Sequence, residues 1–436
     1  MTDYTPWFEQ TGPQGDLVLS SRIRLARNLK DERFPNRLSD DELFDVTQRL
    51  SDAFFSANSK MADEFTEVQI ADLSRNEALS YVEKHLISEE LLNRNRGTRV
   101  LLSKDKHLSI MLGEEDHIRI QCMRPGLDLE SAYEEAVRVA RIFEELLPVA
   151  WSDNYGFLTA CPTNTGTGLR ASLMVHLPML TEMKLIPQTI QSLQKLGIAV
   201  RGAYGEHSKA QGSIYQISNQ MTLGFSEEDL IADLTRVTAQ LLAREKDLRA
   251  KAYQRHPLLI EDRVYRALAL LRSSRRMSYE EAMNLLSDVR LGTDLNIVTD
   301  VCLDSLNRLI SSVGPAAIAG NTGTGQNRLA GEQARAKLIR ESLATSVPDS
   351  EQQSEDDEES AGKITHDAGE KTDPETAADT DPDESEHTDP TKGTDGSSKT
   401  GNAEDTQPSE DSQDTQDSED NQDSEDKDDR TEQTNT

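Results

Sequence analysis

The chain has 436 residues and a formal net charge of −32, most of which lies at its C-terminal end. Residues 351–436 contain 31 acidic residues, 6 Lys or Arg and no Phe, Trp or Tyr, so they cannot bury enough apolar surface to offset the entropy of ordering. We therefore predict a disordered acidic tail at 346–436. The first 350 residues have a net charge of −7, without the basic excess typical of nucleic-acid binders.

The cysteines and the apolar runs exclude further classes of protein. Cys122, Cys161 and Cys302 are too widely spaced to predict a disulfide framework or a zinc site. The N-terminal residues are polar and acidic, unlike a signal peptide, and no apolar run approaches the ~20 residues that span a bilayer. We expect a cytoplasmic protein that contacts neither nucleic acid nor membrane.

Strand-like runs and amphipathic helices share residues 17–230. Apolar runs bounded by turn residues predict strands at 17–20, 100–103, 108–112, 117–121 and 173–177. Ser39 is placed to cap a helix whose first turn is acidic. Helical periodicity follows at 128–147, 188–196 and 227–250.

The pattern from about residue 227 to 312 is almost entirely helical. Ser278 can cap one of these helices, and a further helical stripe is formed by Leu295, Val298, Val301, Leu306 and Leu309. The glycine-rich residues 314–326 predict a flexible break. A short basic helix is predicted at 332–343, before the tail begins.

Arg22 and Arg24 are the first residues that suggest chemistry. They lie two apart on a predicted strand, so their side chains share one face. Two guanidinium groups on one face suit an anion such as phosphate, although a solvated strand face would show the same spacing.

An acidic cluster at residues 113–119 follows a predicted strand and combines three carboxylates with His117 and Arg119. A metal site, an acid–base site and a charged turn all remain open for it.

Residues 159–170 place Cys161 in a loop of Pro, Thr, Asn and Gly that ends at Arg170. Backbone amides of such a loop can bind an anion or stabilise a thiolate, although a lone Cys is often a small buried side chain. The loop lacks the Gly-Lys-Ser/Thr ending of a P-loop. A second glycine-rich loop, residues 201–212, contains Glu206 and His207 and is equally consistent with an ordinary surface loop.

In combination, these segments resemble the ATP:guanidino phosphotransferases, the family of the creatine and arginine kinases. The motifs are 20–24 (SSRIR), 82–88 (VEKHLIS), 114–119 (EEDHIR), 161–164 (CPTN) and 201–207 (RGAYGEH). Within the family, the chain resembles the bacterial protein-arginine kinases. The first motif begins too early for the N-terminal helical domain of the small-molecule kinases, Met174 stands where those kinases have His, and the helical residues 280–292 are similar to the C-terminal domain of the bacterial branch.

The resemblance implies an α+β fold, in which an antiparallel sheet flanked by helices forms a guanidino-kinase catalytic domain at 17–230. An N-terminal segment at 1–16 precedes it, and an α-helical domain at 231–345 and the disordered tail follow. The implied phosphate-binding residues are Arg22, Arg24, Arg119, Arg170 and Arg201. The implied catalytic residues are Glu115 and Glu206, which contact the guanidinium, and the reactive Cys161.

One motif departs from the bacterial pattern. That branch has a regulatory phosphoarginine pocket on a motif like Arg-Asp-x-x-Arg-Ala, whereas residues 331–336 read GEQARA. Arg335 is retained, Glu332 replaces Asp, and Gly331 replaces the first Arg. The resemblance therefore implies a regulatory role of Glu332 and Arg335, although the first of the motif's three residues is absent here.

The implied activity is phosphoryl transfer from ATP with Mg²⁺ to arginine side chains of proteins, marking them for proteolysis during stress. No protein metal site is expected, because Mg²⁺ would rest on phosphates and water. Glu206 is expected to take the proton. The implied partners are proteins with accessible arginine, an activator protein, an ATP-dependent protease and a second copy of the chain. A free-arginine kinase and a non-catalytic adaptor for arginine or phosphoarginine clients remain alternatives, and the tail could be solubilising or autoinhibitory.

Overall fold

The fold is built around one antiparallel sheet, seen in a computed structural model that describes residues 5–57, 60–94, 96–202, 210–322 and 327–344. The predicted tail and Glu206 lie outside the described residues. Eight strands form the sheet in the order β2-β3-β4-β5-β1-β8-β10-β9, and β6 and β7 form a small separate hairpin. The strands are β1 Val18–Arg27, β2 Phe65–Gln69, β3 Arg99–Ser103, β4 Leu108–Leu112, β5 Ile118–Pro125, β6 Trp151–Ser152, β7 Gly156–Phe157, β8 Leu169–His176, β9 Ile198–Gly202 and β10 Ile214–Asn219.

Twelve helices in the described residues accompany the sheet. They are α1 Asp40–Ser56, α2 Arg75–Glu83, α3 Glu89–Arg94, α4 Leu129–Leu146, α5 Pro178–Glu182, α6 Ile186–Gln194, α7 Glu227–Arg255, α8 Pro257–Ser273, α9 Tyr279–Asp294, α10 Leu303–Ser312, α11 Pro315–Thr322 and α12 Arg328–Ala344. Ser39 and Ser278 cap α1 and α9, as predicted, and both form capping boxes. The serine side chain accepts an amide of the first turn, and the side chain of the glutamate three residues later accepts the amide of the serine. None of these helices combines the length and apolarity that crossing a bilayer requires.

The central strand β1 separates the core of the sheet from a polar face. Ile23 and Leu25 are fully buried among apolar residues of α1, α4 and α7, while Arg22 and Arg24 alternate with them on the other face. Burying a side chain such as Ile23 contributes roughly 2 kcal/mol. The predicted α+β class, with helices flanking an antiparallel sheet, is confirmed.

A buried ionic network joins β8 to α7. Glu245 accepts the amides of Met179 and Leu180 at 3.0 and 2.9 Å and pairs with Arg249 at 3.0 Å. Arg249 also donates to the carbonyl of His176 at 2.9 Å. Burial, followed by the charge of Arg249, holds the pKa of His176 well below its usual range, so this imidazole is neutral. The network fixes α7 on the sheet. The domain boundary expected at residue 230 falls inside this helix.

Two predictions in the helical region are wrong. Residues 315–322 form α11 rather than a flexible break, while 323–326 lie outside the described residues. Leu295 to Val301 do not continue a helix with Leu306, because this stretch is the connection between α9 and α10. Val298 and Val301 are nonetheless buried, so the apolar pattern indicated burial correctly although the backbone there is not helical. The predicted basic helix is α12, which begins at Arg328.

Candidate active site

The strand register brings five arginines to one face of the sheet. Arg24 of β1 lies opposite Arg170 of β8, and Ala26 lies opposite Arg119 of β5. Arg201 of β9 pairs with Gln216, which is on the same face. Together with Arg22, these arginines line a cavity of about 460 Å³. Glu115 and Cys161 also line it. Seven of the eight residues predicted to be catalytic or phosphate-binding therefore meet in one cavity, and the eighth, Glu206, lies outside the described residues.

The arginine cluster is rich in positive charge. Burial, together with the nearby Arg170 and Arg119, lowers the pKa of Arg22 to about 10. Burial, followed by Arg22 and then the same two neighbours, lowers the pKa of Arg24 well below its usual range. Within the described residues no carboxylate lies within ion-pairing distance of Arg22 or Arg24, and Nε of Arg24 has no hydrogen-bond partner. A cluster of cations of this kind fits a multiply charged anion, which would offset the repulsion among them.

Two adjacent glutamates hold Arg119 from one side. Glu114 lies 2.7 Å from Nη1 of Arg119, and Glu115 lies 2.8 Å from Nη2. The side chain of Glu114 is fully buried, whereas that of Glu115 is 39% exposed. Glu115 therefore has an accessible carboxylate at the cavity, while Glu114 is confined to orienting Arg119. Asn164 lies 3.4 Å from Glu115 and marks the side on which the Cys161 loop approaches.

The Cys161 loop is anchored by the side chain of Asp116. Its Oδ1 accepts Nδ2 of Asn28 at 2.6 Å and the amide of Ala160 at 2.7 Å. Burial raises the pKa of Asp116. Because Asp116 follows Glu115 directly, this contact ties the acidic turn to the residue before Cys161. The thiol itself is partly exposed, 3.0 Å from the hydroxyl of Thr163.

His117 has a structural position rather than a catalytic one. Its Nδ1 accepts the amide of Leu29 at 3.1 Å, so Nε2 carries the proton and donates to the carbonyl of Arg33 at 2.9 Å. Burial lowers the pKa of His117 to about 4. Of the three interpretations left open for residues 113–119, the geometry favours a turn that orients Arg119 and exposes Glu115.

Several other residues that line the cavity had no role predicted from the sequence. They are His85, Ser88, Asn164 and Gln216. His85 adopts a left-handed backbone conformation, with φ of 55°, at the end of α2. Burial, followed by Arg22 and Arg24, lowers its pKa to about 3, so it enters the cationic cavity without adding charge. Their positions depend on long-range packing, which the sequence pattern does not specify.

Glu332 and Arg335 are not part of the cavity lining; they lie on α12. Glu332 pairs with Arg276 at 2.6 Å and with Arg328 at 2.8 Å. Arg335 donates to the carbonyls of Val313 and Met277 at 2.6 and 3.1 Å. These contacts hold the corner where α10, α11 and α12 meet.

The fold and the cavity define a guanidino-phosphotransferase domain followed by a helical region. Residues 45–248 match the family model described as "ATP:guanido phosphotransferase, C-terminal catalytic domain", and residues 257–356 match "Protein-arginine kinase McsB C-terminal domain". The chain is also similar to the solved taurocyamine kinase of Schistosoma mansoni with bound transition state analog components, with 26% identity and a TM-score of 0.50. That likeness covers 56% of this chain and only 36% of the duplicated kinase.

Curated relatives give the particular family. The chain is 44% identical over 337 residues to the protein-arginine kinase of Bacillus pumilus (strain SAFR-032), and 43% identical over 337 residues to that of Bacillus subtilis (strain 168). Each match covers 77% of this chain and 93% of the relative. The chain belongs to the protein-arginine kinase family.

Proposed function

We propose that this chain is a kinase that transfers the γ-phosphoryl group of ATP to arginine side chains of proteins. Its membership of the protein-arginine kinase family supports this function directly. The observation that carries the chemistry is one cavity lined by five arginines, an accessible carboxylate and a thiol.

The arginine face would hold the nucleotide. Arg22, Arg24, Arg119 and Arg170 come from three adjacent strands, so the sheet fixes the spacing of their guanidinium groups. Such preorganised cations stabilise the charge on the phosphoryl oxygens during transfer and orient the γ-phosphate for in-line attack. Mg²⁺, bound through phosphate oxygens and water, would neutralise further triphosphate charge.

The opposite side of the cavity would hold the arginine substrate. A guanidinium has a pKa above ~12 and attacks poorly while it is protonated. Glu115 and Glu206 would orient it by paired hydrogen bonds, with Cys161 as a third contact. As the bond from nitrogen to phosphorus forms, the bond from the γ-phosphorus to the bridging oxygen breaks and ADP leaves. The guanidinium gives up one proton, which we assign to Glu206.

The biological setting of this reaction is also part of the proposal. Substrates would be proteins with accessible arginine, modified in the cytoplasm and passed to an ATP-dependent protease during stress. An activator protein and a second copy of the chain are expected partners. Glu332 and Arg335 are proposed as regulatory residues. The division into an N-terminal segment at 1–16, a catalytic domain at 17–230 and a helical domain at 231–345 is proposed on the same basis.

One experiment tests the activity and the acceptor together. The purified chain is incubated with ATP, Mg²⁺ and an unfolded arginine-containing protein, and phosphoarginine is detected by mass spectrometry under conditions that preserve the acid-labile bond. A version of the same substrate in which every Arg is replaced by Lys is the matched control. We expect transfer only to the arginine-containing protein. A parallel incubation offers free arginine as the acceptor. Transfer to free arginine alone, or to neither free arginine nor the arginine-containing protein, would contradict the proposed function.

A further inference from the structure

Glu83 makes an unusual contact between the catalytic sheet domain and the helical region. It is the last residue of α2, and its two carboxylate oxygens each accept one amide of α11, from Ala316 and Ala317, both at 2.8 Å. These amides belong to the first turn of α11, where no partner exists within the helix. A residue of the catalytic domain thus caps a helix whose second residue lies 233 positions after it.

The residues on either side of Glu83 form one wall of the arginine-lined cavity. Val82, His85, Ile87, Ser88, Glu89 and Glu90 all line it. The wall is fixed at two points, since the carbonyl of His85 accepts Nε2 of Gln121 of β5 at 2.6 Å and Ser88 donates to Glu114. Because Glu114 orients Arg119, a displacement of this wall reaches Arg119 of the proposed nucleotide site.

The helical side of the contact is equally constrained. Gly314, immediately before α11, lies so close to Glu83 that an added Cβ would come within 2.3 Å of its Oε2. Arg335 donates to the carbonyl of Val313, the residue before Gly314, at 2.6 Å. The turn that receives the Glu83 carboxylate is therefore held from α12.

We propose that Glu83 is a positioning residue through which the helical region sets the geometry of the nucleotide-binding wall. The contact acts through His85 and Ser88 and does not touch the substrates. The inference rests on the proposed function, because it takes the nucleotide as the ligand of the cavity. Leu86 and Ile87 also pack the wall against β3 and β4, so we expect a weakened site rather than an abolished one.

The test is equilibrium binding of a fluorescent ATP analogue to the full-length chain and to its Glu83→Ala variant, with steady-state kinetics in parallel. We expect the Kd of the analogue and the KM for ATP to rise by about five-fold or more, the lower range of coupling between sites. The KM for the protein substrate should not change. Glu83→Gln, which retains one acceptor oxygen, should show a smaller rise. Gly314→Ala, which displaces the Glu83 carboxylate from the other side, should act in the same direction as Glu83→Ala.

Glu182→Ala is the matched control. It removes an acidic side chain that also joins the two regions, since Glu182 of α5 pairs with Arg263 of α8 at 2.6 Å, but it does not adjoin the wall. Nucleotide binding that is unchanged in Glu83→Ala, or weakened equally in Glu182→Ala, would overturn the inference. If the unmodified chain binds the analogue and only the Glu83 result fails, the proposed function still stands. If the unmodified chain binds no nucleotide, both fail.

Discussion

Glu115 and Glu206 differ in how their surroundings constrain them. Glu115 follows β4 in a turn anchored by Arg119 and Asp116, so its carboxylate is already engaged in an ion pair. Glu206 belongs to residues 203–209, outside the described part of the chain, and only its sequence setting between glycine-rich residues is known. A proton acceptor should not be neutralised by a permanent cationic partner, and this counts against Glu115 as the base.

Replacing Glu206 by Ala should therefore lower kcat by at least ~10²-fold, the size of a general-base contribution. The Kd of an ATP analogue should stay near its original value, because the arginines of the sheet face remain. Rapid-quench measurement of phosphoarginine formation would separate chemistry from product release. A Glu206→Ala variant with near-normal kcat would remove this residue from the reaction.

His107 lies in a charged cluster on the helix-facing side of the sheet. Its Nε2 is 3.0 Å from Glu135, its Nδ1 contacts Asp105, and Glu135 also pairs with Arg124. Burial opposes the charge of His107, but the two carboxylates outweigh it and raise its pKa to about 9. Protonated His107 thus stabilises the folded state.

The sign of the pH dependence follows from that raised pKa. The stabilisation is fully present below pH ~6.5, the unfolded value, and is lost as the pH rises through about 9. A shift of this size corresponds to at most about 3 kcal/mol. We expect the difference in unfolding free energy between the original chain and His107→Gln to shrink between pH 7 and pH 10 in urea titrations. A difference that stays constant over this range would show that His107 is not charged in the fold.

At the scale of elements, the loop after β7 depends on a residue that follows another strand. The hydroxyl of Thr222, just after β10, lies 2.8 Å from the carbonyls of both Thr163 and Thr165. Gly166 allows this approach, because its φ is 115° and an added Cβ would come within 2.5 Å of the Thr222 carbonyl. The loop that contains Cys161 is therefore shaped by β10 as well as by Asp116.

Thr222→Val keeps the volume of this side chain and removes its hydroxyl. We expect unfolding to cost about 1 kcal/mol less, the net value of one hydrogen bond, and kcat to fall because Cys161 and Asn164 lose their support. Thermal melting and steady-state turnover would measure the two effects. The comparison is Thr189→Val, which removes a similar buried hydroxyl on α6 that bonds only within its own helix. Equal losses of kcat in both variants would contradict a local role for Thr222.

The elements themselves were predictable where the signal is local. The strands at 100–103 and 108–112 are β3 and β4, and the helix at 128–147 is α4, since apolar periodicity reports the buried face of such elements. The Ser74 to Glu77 capping box is a further local signal, which marks the start of α2 in the sequence. By contrast, α11 begins beside Gly314 and is capped by Glu83, and a cap supplied from so far along the chain leaves no trace in a local pattern.

Across the whole molecule, residue types and motif order suggested the candidate site, but they did not give its geometry. Arg24 and Arg170 are far apart in sequence and become neighbours because β1 and β8 pair in a particular register. Periodicity assigns each arginine to a face of its own strand, whereas strand order and register depend on the packing of the complete sheet. The alternation could thus predict that Arg22 and Arg24 share a face, and only the resemblance joined them to the other arginines.

The charge of the complete chain suggests a test of its acidic end. Deleting residues 351–436 removes 25 of the 32 net negative charges. We expect turnover at physiological salt to be unchanged and the solubility limit to fall, because net charge opposes self-association. Activity at ionic strengths of about 0.01 and 0.15 M, where the Debye length is about 30 and 8 Å, is the informative measurement. A gain in activity on deletion that disappears at the higher salt would instead show that the tail competes for basic substrates.

Along the ten residues of β1, side chains that pack into the core alternate with side chains that line the proposed site. An insertion or deletion of one amino acid inside this strand would exchange the two sets, placing guanidinium groups under α4 and aliphatic side chains beside the nucleotide. A substitution at Arg22 can lower activity alone, and a substitution at Ile23 can lower stability alone. An inserted or deleted residue in β1 would lower both together. In any natural or engineered variant of this enzyme, we therefore expect length changes to be accepted in the loops and absent between Val18 and Arg27.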